Sequence, residues 1–257
     1  MFSDIQNHWA KASILAAAKK NIFKGYVDGT FRPNAPVTRA EFAAIIFVGL
    51  PKQPLSRAAI TFTDVPANHW AAKAIAEAYQ TKYLSGYPNS LFKPNELILR
   101  VQAIAALASG LNYGVTIDPI NTVKKYYSDF GQIPSYATSA IAAATEKRII
   151  VNYPDIKSLQ PNQNATRGEI AAFICRVLEI PTVSSKYIAG LELFVITPQF
   201  DAADDFREGF ARVQKGNQWG YLDKTGKFLI PPQFAEAHPF SEGLVLVKEN
   251  INKTIPT

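Results

Sequence analysis

FSDIQNHWAKASILAAAKKNIFKGYVDGTFRPNAPVTRAEFAAII, residues 2–46, decides the fold, because the chain writes it three times. From Phe62 it returns as FTDVPANHWAAKAIAEAYQTKYLSGYPNSLFKPNELILRVQAIAAL. From Tyr127 a more distant copy reads YSDFGQIPSYATSAIAAATEKRIIVNYPDIKSLQPNQNATRGEIAAFI. A repeated unit of this length cannot bury its apolar face alone, so the copies must pack on one another. Three copies predict a closed arrangement with pseudo-threefold symmetry and several similar sites.

Each copy parses alike. An Ala-rich segment, residues 9–20, 70–81 and 136–147, reads as a first helix, since Ala is the best helix former. A loop dense in turn formers follows: Gly25-Tyr26-Val27-Asp28-Gly29, Gly86-Tyr87-Pro88-Asn89-Ser90 and Asn152-Tyr153-Pro154-Asp155. Asn152 in the place of Gly25 and Gly86 is expected if that position needs a positive φ. A Pro-Asn pair comes next, at Pro33-Asn34, Pro94-Asn95 and Pro161-Asn162. A second helix then begins at Thr38, Leu99 and Thr166. It is apolar nearly all round, the mark of a buried helix. The three second helices are therefore expected at the centre, with Ile45, Ile104 and Phe173 or Ile174 buried and the first helices outside. Loops near Pro51–Pro54 and Gly114–Pro119 join the copies.

After Pro181 the texture changes to aromatic and β-branched residues. A second repeat runs from Phe194 (FVITPQFDAADDFREGFARV) and from Phe228 (FLIPPQFAEAHPFSEGLVLV), offset by 34 residues. Asp223 to Lys227 reads as a hairpin turn between strands. The expected fold is α+β and multidomain: a mainly helical pseudo-threefold trimer and a small C-terminal antiparallel β module. The boundaries read as 1–60, 61–125 and 126–180 for the three copies, 181–192 for a linker, and 193–257 for the β module, whose last unit looks incomplete.

Composition narrows the function. The start of the chain has neither a basic nor an apolar leader segment, so no signal peptide is read there. No apolar run approaches the ~20 residues needed to span a membrane. Cys175 is the single cysteine, lies in an apolar run, and is expected in the core. Residues 1–180 hold 19 Lys and Arg against 12 Asp and Glu, whereas residues 181–257 hold 8 against 9. The basic excess belongs to the triple repeat and favours an anionic partner. The basic residues form no long tracts, which speaks against nucleic acid.

Thr38 with Glu41, and Thr166 with Glu169, are capping boxes, satisfying helix-start N–H groups reciprocally. The arginines between them, Arg39 and Arg167, and Arg100 in the middle copy, have no capping duty. A guanidinium beside a helix N-terminus suits a carboxylate, although exposed arginines also form ordinary surface ion pairs. Trp9 and Trp70 are core-packing residues whose indole edges could stack on sugar. Asp4, Asp64 and Asp129 read as turn or cap residues, with sugar hydroxyls as the alternative. His8 and His69 sit in equivalent repeat positions, too far apart for one metal site. His238 has no partner evident in the sequence. No catalytic constellation, cofactor fingerprint or metal site is read.

Taken together, Phe2-x-Asp4, His8-Trp9, Gly25-Tyr26-x-Asp28-Gly29-x-Phe31-x-Pro33 and Thr38-Arg39-Ala40-Glu41-Phe42 closely resemble the S-layer homology domain over residues 1–180. Trp219-Gly220 and its surroundings resemble WG repeats over about residues 190–250. The resemblance implies a non-catalytic bacterial cell-envelope anchor that binds anionic, pyruvylated cell-wall polysaccharide. It implies Arg39, Arg100, Arg167, Trp9, Trp70, Asp4, Asp64, Gly25 and Gly86 as glycan-binding positions. The WG part implies a protein partner of unknown identity. An intracellular protein–protein scaffold and the non-catalytic part of a cell-wall glycan hydrolase are the alternatives. Copy two departs from the pattern with Leu99-Arg100-Val101-Gln102, and copy three with Ser135-Tyr136 and Asn152.

Overall fold

The capping signals start the helices where the sequence places them. In a computed structural model, which describes residues 2–114, 117–190 and 199–249, Thr38 and Thr166 are N-caps, each with the complete reciprocal box. Leu99 has no side-chain acceptor, and only the Gln102 half of the box forms there, its Oε1 accepting from Leu99 N at 3.1 Å. The helices are α1 (Lys11–Lys19), α2 (Arg39–Gly49), α3 (Ala72–Gln80), α4 (Arg100–Gly110), α5 (Pro119–Tyr126), α6 (Thr138–Glu146) and α7 (Arg167–Val177). Helix α5 starts at Pro119, where the expected loop Gly114–Pro119 ends, and is an element that the sequence reading does not contain. Asp118 accepts from Asn121 N at 3.1 Å, and Pro119 sits in the first turn, where its missing N–H costs nothing.

The pseudo-threefold arrangement is present, but the centre is built differently from the expected three-helix bundle. Each second helix packs on the first helix of the next copy: α2 on α3, α4 on α6, and α7 on α1. Around the axis, the segments entering the second helices meet through their backbones. Val37 N donates to Ala165 O (3.0 Å), Ala165 N to Ile98 O (2.9 Å), and Ile98 N to Val37 O (2.9 Å). This closed triangle satisfies main-chain groups that an apolar interior would otherwise leave unpaired. Ile45, Ile104, Phe173 and Ile174 are buried as expected, in one cluster that runs through all three copies and includes Cys175.

The chain divides into two compact units, residues 1–191 and 192–257. Among its described residues the second holds a five-stranded antiparallel sheet in sequential order: β1 (Ala202–Ala203), β2 (Phe210–Lys215), β3 (Gln218–Asp223), β4 (Phe228–Ala237) and β5 (Val247–Glu249). The expected turn links β3 to β4, with Asp223 Oδ1 accepting from Thr225 N and Lys227 N. Val213 pairs with Gly220, and Gln214 with Trp219. A Cβ on Gly220 would lie 2.6 Å from both Ile230 O and Pro232 N, so only glycine lets β4 cross that closely. Arg212 lies over the Trp219 ring, 4.8 Å from its centroid. The start of the first β repeat at Phe194 and the end of the second after Glu249 lie outside the described residues.

Candidate functional site

The recurrent aspartates and arginines belong to one hydrogen-bonded junction, made three times. Asp4 accepts from Phe31 N (2.8 Å) and Arg32 N (2.6 Å), Asp64 from Phe92 N (2.8 Å) and Lys93 N (2.6 Å), and Asp129 from Leu159 N (3.0 Å) and Gln160 N (2.7 Å). Each clamp fixes a residue with positive φ: Arg32 at 58°, Lys93 at 60° and Gln160 at 53°. Partial desolvation pushes the Asp4 carboxyl up, but the N–H groups of Phe31 and Arg32 outweigh it and hold the group below its ordinary value.

The carbonyl of the residue before each of these positive-φ residues then faces an arginine from a neighbouring copy. Arg39 Nε donates to Phe92 O, Arg100 Nε to Leu159 O, and Arg167 Nε to Phe31 O, each at 2.9 Å. A second guanidinium nitrogen reaches Ser85 O from Arg39, Asn152 Oδ1 from Arg100, and Lys24 O from Arg167. All three arginines are buried, at 4%, 2% and 9% exposure, which corrects the alternative of a surface ion pair. The helix N-termini beside them are also filled. Arg39 N and Ala40 N donate to Glu96 O and Pro94 O, Arg100 N and Val101 N to Gln163 O and Pro161 O, and Arg167 N and Gly168 N to Ala35 O and Pro33 O. The free N–H groups that the sequence argument offered to a ligand carboxylate are therefore already engaged.

The glycine expectation needs a correction too. Gly25, Gly86 and Asn152 are absent from the positive-φ residues. The requirement is close approach: a Cβ on Gly25 would meet the Phe2 ring at 2.2 Å, and one on Gly86 the Phe62 ring at 2.5 Å. At the third junction the corresponding aromatic is Tyr127. Its hydroxyl turns to Thr145 Oγ1 at 2.6 Å, and Asn152 spends its side chain on Arg100 and on Ile156 O.

The junctions differ in charge. Arg100 Nη1 lies 2.6 Å from Glu169 Oε1, the capping glutamate of the next copy. Gln102 is the residue of copy two that corresponds to Glu169, and the next-copy relation sets it opposite Arg39. Among the described residues no carboxylate lies within ion-pair distance of Arg39, whose burial pushes its pKa down, as it does for Arg167. The departure Leu99-Arg100-Val101-Gln102 thus puts an uncharged side chain where copies one and three carry Glu41 and Glu169; of the three arginines only Arg100 has an ion pair among the described residues. Sequence reading recorded the departure; its consequence becomes visible only once the copies are placed.

Arg39 opens on a groove of about 680 Å³ between copies two and three. Gly86, Tyr87, Gln102, Tyr113 and Tyr136 line it. So does Tyr83, whose buried hydroxyl has no partner among the described residues and whose pKa burial raises to about 12. Neither Tyr83 nor Tyr113 stood among the positions picked from sequence. At the junction of copies three and one, aromatic rings pack on one another. Trp9 stacks on Tyr153 (5.2 Å between centroids, 10° between planes), and Tyr153 meets Tyr187 edge-on at 4.9 Å. Trp70 is 66% exposed and stacks only on its neighbour His69 among the described residues. His8 and His69 are local caps: their Nδ1 atoms accept from Ala10 N and Ala71 N.

The S-layer homology domain matches residues 2–43, 61–104 and 126–171, together more than half of the chain, and the chain belongs to this family. The WG containing repeat matches residues 194–219 and 219–253. Among curated relatives, "Cell surface glycoprotein 1" of Acetivibrio thermocellus is 34% identical over 141 residues, 51% of this chain and 6% of that protein. "Cellulosome-anchoring protein" of the same organism is 50% identical over 74 residues, 29% of this chain and 17% of that protein. "Amylopullulanase" of Thermoanaerobacterium thermosulfurigenes is 32% identical over 180 residues, 69% of this chain and 9% of that protein. The chain spans a small part of the length of each of these relatives.

Proposed function

We propose that this chain is a non-catalytic anchoring part of the bacterial cell envelope that holds an anionic cell-wall polysaccharide in the Arg39 groove. Relatives named for the cell surface and for cellulosome anchoring support the anchoring role. The observation that carries the ligand chemistry is the buried Arg39 guanidinium, which has no ion pair among the described residues and lines an open groove together with the uncharged Gln102. A buried charge without a counter-ion is costly, and a ligand carboxylate supplies the missing partner. Ketal-linked pyruvate on a sugar is such a carboxylate, and Tyr87, Tyr113 and Tyr136 offer ring faces and hydroxyls to the sugar around it. In this reading Arg39 is the ligand contact, whereas Arg100 is neutralised by Glu169 and takes no part. Asp4, Asp64 and Gly25 serve by holding the junction loops.

The test is calorimetric titration of the whole chain with a pyruvylated cell-wall fragment and its depyruvylated counterpart. Gln102→Glu is the informative variant, because it recreates at Arg39 the carboxylate that Arg100 already has. We expect the variant to fold and to lose at least about tenfold in affinity for the pyruvylated fragment, the scale of one charged hydrogen bond. Equal affinity of the wild type for the two fragments would remove carboxylate recognition. No binding of either would favour the scaffold reading.

A further inference from the structure

The β module contains a device that the anchoring role does not use. Its two units are joined at their turns. Glu208-Gly209 and Glu242-Gly243 are two-residue hairpin turns in which both residues have positive φ: 52° and 91° in the first, 54° and 75° in the second. Asn-Gly is the usual choice for such a turn, and a glutamate there gives up conformational energy. The first glutamate has a purpose that compensates. Glu208 Oε1 accepts from Glu242 N at 2.7 Å, and Oε2 from Gly243 N at 2.9 Å. The carboxylate of one turn thus caps the amides of the turn 34 residues later. Beside this link Phe240 covers Phe210, with ring centroids 5.0 Å apart.

Moving this contact by one repeat shows what each described unit offers beyond it. In the second unit, Glu242 corresponds to Glu208, and Leu244 corresponds to Phe210. No described residue donates to the Glu242 carboxylate, and Leu244 is 75% exposed. In the first unit, the amides of Glu208 and Gly209 correspond to those of Glu242 and Gly243, and Phe206 corresponds to Phe240. Among the described residues nothing accepts from these amides, and Phe206 is 41% exposed. The two described units thus carry complementary halves of the contact that already joins them.

We propose that the β module associates head to tail with a second copy of this chain, the Glu242 carboxylate of one chain accepting from the Glu208 and Gly209 amides of the next, while Leu244 of the first receives Phe206 of the second. Such an interface is heterologous, so it propagates rather than closing into a symmetric dimer.

Sedimentation velocity of the full-length chain across the micromolar range tests this. Wild-type protein forms species beyond the dimer as concentration rises. Leu244→Lys blocks one end and Phe206→Lys the other, so each variant alone sediments as a monomer. Their equimolar mixture retains one intact head and one intact tail, and it forms dimers that grow no further. Glu242→Gln keeps the size of the side chain and removes its charge; we expect association at least about tenfold weaker. A wild type that stays monomeric, assembly that survives either lysine variant, or a mixture that remains monomeric overturns the proposal.

Discussion

At the scale of the residue, Thr38 and Arg39 separate two kinds of information. Thr38 acts on its own helix three residues away, so its role is readable from the local sequence. Arg39 acts on Phe92 O and Ser85 O in the next copy, and no spacing rule announces a bond to a carbonyl. The sequence therefore disclosed that Arg39, Arg100 and Arg167 recur but not that they are buried. The same distinction separates the two variants. Thr38→Ala should cost about 1 kcal/mol, the worth of an N-cap. Arg39→Ala should cost about 2–4 kcal/mol, because it leaves Phe92 O buried without a donor and removes packing from the Tyr87 and Phe92 rings. Urea unfolding with unchanged slope measures both, and an Arg39→Ala midpoint no lower than that of Thr38→Ala would contradict the junction as described. Gln102→Glu is for this reason a cleaner probe of ligand binding than any deletion of the arginine.

At the scale of the element, the second helices were legible because the capping box precedes an apolar run, a signal confined to adjacent residues. Helix α5 was missed because Asp118-Pro119 was read as the end of a loop, although Asp followed by Pro is also a helix start. The cap is testable there. Asp118→Ala should weaken α5 by about 1 kcal/mol and speed amide hydrogen exchange over residues 122–127. Exchange unchanged from wild type would mean that packing on α6 alone holds the helix. In the β module the turn at Asp223 to Lys227 announced the strands on either side of it. The cause of Gly220, the close crossing of Ile230 to Pro232, lies in a different strand and was not legible.

At the scale of the whole molecule, threefold repetition predicted a closed arrangement, and closure is present in the junctions and in the triangle of Val37, Ile98 and Ala165. That triangle has no first or last member. The join between copies three and one, made by α7 on α1 and by Ser13 Oγ with Thr182 Oγ1 at 2.8 Å, uses no peptide bond, yet it is built like the two joins that do. The order in which the copies are translated is thus a property of the gene, not a demand of the architecture. A circularly permuted chain that starts at copy two, and carries copy one after copy three through a short Gly-Ser bridge, should fold to the same core and melt in a single transition. Two separate transitions in that permutant would show that the covalent order, rather than the ring, sets the cooperativity.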